Sequence, residues 1–181
     1  SQSTIFFSAT LLPLDYFKIL LTGDADHPHH AFRSPFPPQN ARLLIHNRIA
    51  TKYKERAHSY LPIASVIETI CNAQTGNYLV FFPSYAYMDA VLALVKERLP
   101  EEQLLIQHRG MTEGERESFL NQFSTDSSDT LVGFAVMGGI FGEGIDLVGE
   151  RLIGAIVVGV GLPQMGLERD LIKAYFQDKT G

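Results

Sequence analysis

Short apolar runs alternate along this chain with longer stretches whose apolar positions recur every three or four residues. The runs at 78–82, 104–107, 130–137 and 152–158 are rich in β-branched and aromatic residues and predict strands. They are nearly continuous in apolar residues, the pattern of strands buried on both faces. Leu61, Ala64, Ile67, Ile70 and Cys71 recur at helical spacing and predict a helix over 55–73, with Pro62 expected to kink it or delay its start. Helices are also predicted over 84–98, 113–123 and from about 166 to 176. Thr112 followed by Glu115 is a capping-box signal for the helix at 113–123. Toward the N-terminus, 4–8 and 42–46 read as further strands, and 14–21 as a short helix stopped by Gly23. Residues 24–40 carry Pro28, Pro35, Pro37 and Pro38 and read as an irregular connector. Strand–helix alternation predicts an α/β fold, a mostly parallel sheet with helices on both faces. The expected organisation is one domain overall: 1–40 as strand, helix and connector, and 41–181 as the main lobe.

Composition narrows the classes. The chain has 181 residues, 45% of them hydrophobic, which is ordinary for a globular domain with a sizeable core. No apolar run approaches the roughly 20 residues that span a bilayer, so no membrane partner is expected. A secretory signal pattern is not seen at the N-terminus. The single Cys71 forms no internal disulfide and no zinc or iron–sulfur cluster, and a reducing, cytoplasmic location is the expectation. The formal charge of −5 argues against a generic nucleic-acid binder, but its distribution is uneven. Between 40 and 60, Arg42, Arg48, Lys52, Lys54 and Arg56 face only Glu55, a local net charge of +4 interleaved with Tyr53 and Tyr60. Such a stripe suits phosphates, and equally a solvated helix end.

Ligands of open parallel sheets sit beyond the carboxyl ends of the strands. After the strand at 78–82 comes Pro83-Ser84-Tyr85, where Ser84 is either a helix cap or part of a phosphate site. After 130–137 comes Gly138-Gly139-Ile140-Phe141-Gly142-Glu143-Gly144-Ile145-Asp146, four glycines and two carboxylates in a loop otherwise free of charge. Such carboxylates suit a ribose hydroxyl, a water or a phosphate-bound cation; the alternative is a flexible loop with solvated acids. After 152–158 comes Gly159-Val160-Gly161-Leu162-Pro163. Three strand exits thus carry loop chemistry on one expected rim.

Taken together these segments resemble a known family. Ser8-Ala9-Thr10-Leu11 resembles helicase motif III, which joins two motor lobes. Phe81-Phe82-Pro83-Ser84-Tyr85 resembles motif IV of DinG/XPD-type ATP-dependent DNA helicases of superfamily 2. Residues 139–146 resemble their motif V, with its Glu-Gly-Ile-Asp core. Ser34-Pro35-Phe36 is similar to the start of their second lobe, and Gly161-Leu162-Pro163 to the strand exit before motif VI. The likeness runs from about Thr4 to the C-terminus and implies a RecA-like second motor lobe. It implies Glu143 and Asp146 as catalytic groups facing nucleotide and water, and Gly142 and Gly144 at the nucleotide. Single-stranded DNA would meet Ser84, Tyr85, Gly138, Gly139, Arg48, Lys52 and Arg56, with translocation 5′ to 3′. The partner is the first lobe of the same polypeptide.

Departures from the family pattern are equally informative. The sequence has no Gly-x-x-x-x-Gly-Lys-Ser/Thr loop, no Asp-Glu-Ala-His element and no Gln-x-x-Gly-Arg-x-x-Arg motif VI. The resemblance implies that the ATP phosphate loop, the Mg2+ ligands and any iron–sulfur cluster belong to an upstream part, and the arginine finger to a downstream one. The chain is therefore expected to be part of a longer enzyme and inactive alone. Other residues are weaker candidates. His27, His29 and His30 with Asp24 and Asp26 lie in the Pro-rich connector, and no metal site is expected there. His108-Arg109 reads as surface. Two rival classes stay open: a metabolite-binding α/β domain using the Gly-rich loop, and a non-catalytic, helicase-like interaction module.

Overall fold

The computed structural model describes residues 3–8, 10–125, 128–142, 144–161 and 166–180. Strands β1 (Asn77–Phe82), β2 (Leu104–Ile106), β3 (Leu131–Val136) and β4 (Gly154–Val157) form one parallel sheet in the order β2-β3-β1-β4. The helices are α1 (Leu14–Thr22), α2 (Arg56–Ala73), α3 (Tyr85–Val95), α4 (Glu113–Asn121) and α5 (Leu167–Thr180). Contacts divide the chain into two compact units, Ser1–Ile45 and His46–Gly181, and the sheet lies wholly in the second.

Side chains alternate across β1, so one strand feeds two cores. Tyr78, Val80 and Phe82 join Val132 and Phe134 of β3 against Ile63, Ala64, Ile67 and Cys71 of α2 and Met88, Val91 and Val95 of α3. Leu79 and Ala135 point the other way, onto Phe119 and Phe123 at α4 and onto Phe141. Each fully buried Val, Leu or Phe of this kind stabilises the fold by about 1.5–3 kcal/mol. Gly133 permits the close approach of α4. A Cβ there would lie 2.7 Å from Leu79 Cδ2 and 2.8 Å from the Phe123 ring. Helix α2 runs through Pro62 and starts at Arg56, so the proline does not delay it. The capping box of α4 forms as the sequence predicts: the Thr112 hydroxyl accepts from the Glu115 N–H, and the Glu115 carboxylate accepts from the Thr112 N–H at 2.7 Å.

Two sequence expectations are corrected. Residues 4–8 and 42–46 are not strands. Ile5, Phe7, Leu43 and Ile45 are all at least 80% exposed, and neither segment pairs with another strand. β-propensity alone does not hold a strand whose backbone groups lack a ladder partner. The 24–40 connector is irregular apart from a 3₁₀ turn at Pro38–Asn40.

Candidate functional site

In this sheet β1 and β3 are neighbours whose chains leave in opposite directions. β1 leads through α3 to β2, beyond β3, while β3 leads to β4, on the far side of β1. Where exits diverge, the carboxyl ends leave a crevice. Its two lips are Ser84-Tyr85 and the loop that starts at Gly138.

Ser84 has extended backbone and its Oγ accepts the Tyr87 N–H at 3.4 Å, so it caps α3. Tyr85 follows on the first turn, half-buried, with its hydroxyl 3.4 Å from the His108 carbonyl. The guanidinium of Arg109 stacks on the same ring. His108 Nε2 lies 3.5 Å from Glu115 Oε1 at the start of α4. His108 and Arg109, read from the sequence as surface, are exposed but belong to the rim. The adjacent Gln107 is buried: its N–H donates to the Phe134 carbonyl, and its Oε1 accepts the Val136 N–H at 2.7 Å. It thereby extends the β2–β3 ladder with a side chain, a role no local sequence signal announces.

The β3-exit loop is built on its glycines. Gly138 and Gly139 have φ of 80° and 61°, a region ordinary residues rarely occupy, and side chains there would point into open space. A 3₁₀ turn at Gly139–Phe141 then folds Gly142 back until a Cβ would stand 3.1 Å from Gly138 Cα. Phe141 pins the turn into the core, its ring edge-on to Phe119 at 4.9 Å. Arg116 of α4 binds the loop from below, donating from Nε to the Ile140 carbonyl at 2.6 Å and from Nη2 to the Gly144 carbonyl at 2.7 Å. Gly142, Gly144 and Asp146 are exposed. Glu143 lies outside the described residues, as do Ala9, Leu162 and Pro163 of the other motif-like segments. Gly161 stands beside Met137, where a Cβ would be 2.8 Å from the sulfur, so the exits of β3 and β4 meet.

The basic stretch reaches this edge too. A Cβ on Gly159, at the β4 exit, would lie 2.9 Å from Thr51 Oγ1. Arg48, Lys52 and Lys54 are exposed. Arg56 differs: it lies over Tyr87 at 4.8 Å and Tyr53 at 5.3 Å, and its Nε donates to the Thr51 carbonyl. Part of its charge therefore braces the start of α2, where Ser59 also bonds the Tyr87 hydroxyl. Arg48 lines an open groove of about 550 Å3 with His46, Ile49, Glu55 and His58. Among the described residues no cluster of three or more His, Cys, Asp or Glu forms a metal site, and no helix is long and apolar enough to cross a membrane.

Two groups are shifted by their surroundings. The hydrogen bonds from the Thr112 N–H and hydroxyl, with a smaller contribution from His108, hold the Glu115 carboxyl below its ordinary range. Burial pushes the Cys71 thiol up to about 11, so it is neutral and unreactive inside α2.

A family model described as a helicase C-terminal domain matches residues 67–181. The ATP-dependent DNA helicase CHL1 of Scheffersomyces stipitis is 33% identical over 180 residues, covering 90% of this chain and 21% of that protein. The chl1 helicase of Aspergillus fumigatus is 23% identical over 190 residues, covering 91% of this chain and 24% of its own. The chain therefore spans about a fifth to a quarter of these relatives. An XPD apo structure shares the fold with a TM-score of 0.56 at 20% identity, over 74% of this chain and 26% of that one.

Proposed function

Because the chain belongs to the helicase C-terminal domain family, we propose that it works as the second motor lobe of an ATP-dependent DNA helicase of the DinG/XPD type. One observation carries this reading. The glycine loop with Asp146 and the capped start of α3 form the two lips of the crevice between β1 and β3, on the sheet edge where the basic stretch also ends. Open glycine backbone suits close approach of phosphate or sugar, and the exposed Asp146 carboxylate suits a ribose hydroxyl or a water. This is half a nucleotide site. By the family resemblance, Mg2+ would be held by carboxylates of a first lobe of the same polypeptide, and any iron–sulfur cluster would lie in an upstream part.

ATP, when bound between the lobes, supplies the phosphoryl group whose loss drives opening and closing. Asp146 and Glu143 would orient water and nucleotide from this side; Gly142 and Gly144 would let the backbone come close. Ser84, Tyr85, Gly138 and Gly139 would meet the backbone of single-stranded DNA, with Arg48 and Lys52 adding charge. Translocation 5′ to 3′ is what the family resemblance implies. Such catalysis is positioning and charge stabilisation, which half a cleft does not achieve.

The test is ATP turnover by the full-length protein, with and without single-stranded DNA, beside the 181-residue chain alone. DNA-stimulated turnover is expected in the first and none above blank in the second. Titration of the isolated chain with ATP and Mg2+ should give at best millimolar affinity, about −4 kcal/mol. Turnover by the repurified chain would overturn the half-site reading, and micromolar binding would favour a self-contained metabolite site.

A further inference from the structure

Arg116 lies inside α4, at a position where the sequence marks only another polar helical residue, yet its guanidinium is buried beneath the β3-exit loop. Nε and Nη2 each hold a loop carbonyl, that of Ile140 at 2.6 Å and that of Gly144 at 2.7 Å. Nη1 holds Glu113 Oε1 at 2.7 Å, and Cζ lies 6.0 Å from the Phe141 ring centroid. A charge taken out of water is tolerated when its hydrogen bonds are made, and here they are made to both ends of one loop segment. The two carbonyls bracket residues 141–143, which include the implied catalytic Glu143, and Asp146 follows two residues beyond the second. Glycines permit this loop its shape but do not select it, because each also has many other conformations. Selection requires a rigid partner. A planar guanidinium fork reaching two carbonyls at once is such a partner, whereas an ammonium is a single point donor.

We propose that Arg116 is a positioning residue of the motor reaction, clamping the loop so that Asp146 faces nucleotide and water in one geometry. The proposal rests on the half-site function given above. The same first turn of α4 contacts the β2 exit, through Glu115 and His108. One helix start thus holds the exits of β2 and β3 together.

Arg116→Lys tests it in the full-length protein, with Asp146→Ala as comparator. Amide hydrogen exchange over 138–146 should become about tenfold faster or more in the lysine variant, with β1 and β3 amides unchanged. DNA-stimulated kcat should fall about tenfold or more while KM for ATP stays within about twofold, since misplaced groups cost turnover rather than binding. Unchanged loop exchange overturns the clamp. A loosened loop with full turnover, where Asp146→Ala is inactive, overturns the positioning role. If Asp146→Ala is also fully active, the catalytic reading of the loop fails instead. Should Arg116→Lys melt globally, Glu113→Gln removes only the outer, exposed partner. It should speed loop exchange about threefold, and no change there would equally overturn the proposal.

Discussion

The guanidinium of Arg109 lies over the ring of Tyr85, 4.5 Å from its centroid, and so joins the exit of β2 to the first turn of α3. The pair stands at the crevice lip, a cation and an aromatic ring side by side, a combination that suits phosphate and base. Tyr85→Ala in the full-length protein should weaken single-strand binding by about 1–3 kcal/mol, the worth of one stacked base, while Tyr85→Phe should bind nearly as the parent does. Arg109→Ala should flatten the log–log salt dependence by about 0.7, one phosphate contact. Fluorescence anisotropy across a salt series measures both, and an unchanged slope would return Arg109 to the bland role of a surface cation.

Asp146 is exposed, so its replacement should leave the fold intact. Asp146→Ala should shift stability by no more than about 0.5 kcal/mol and reduce DNA-stimulated ATP turnover about a hundredfold. Glu143→Gln is expected to act in the same direction. Calorimetric melting beside steady-state kinetics decides between this and a bracing role, in which melting temperature drops and turnover survives.

Lys52 and Lys54 are exposed cations near the rim, whereas Lys96 pairs with Glu101 at 3.0 Å and Arg98 with Glu68 at 3.4 Å, at the far end of α3. Replacing Lys52 and Lys54 by Ala should weaken strand binding alike for all sequences and flatten the salt slope by about 1.4. Replacing Lys96 and Arg98 should leave it unchanged. Arg56 is unsuited to the comparison, because losing its stacking on Tyr87 mixes stability with binding. Equal effects of the two pairs would mean the basic stretch is only a solvated surface.

The Glu115 carboxyl is held below its ordinary value of 4.5, chiefly by the Thr112 N–H. A lowered folded-state value contributes stability that is complete above the ordinary value and lost as pH falls through the lowered one. Glu115→Gln should therefore melt earlier than the parent at neutral pH, and the gap should close as pH drops below 4.5. A gap that persists in acid would assign the effect to shape rather than charge.

The sheet strands and their helices were legible in the sequence because burial on both faces leaves an unbroken apolar run, and because a capping box is a local device whose partners stand three residues apart. The class of fold and the two glycine-marked exits followed from the same local rules. Residues 4–8 and 42–46 carry the same local signal and are not strands, since a strand exists only where another backbone completes its hydrogen bonds. The order β2-β3-β1-β4, the stack of Arg109 on Tyr85, the ladder bond of Gln107 and the grip of Arg116 on Ile140 and Gly144 join residues 24 or more positions apart. No periodicity encodes such pairs: a polar side chain inside a helix or at a strand end reads as solvated until the tertiary fold brings a carbonyl, a ring or an amide within reach of it.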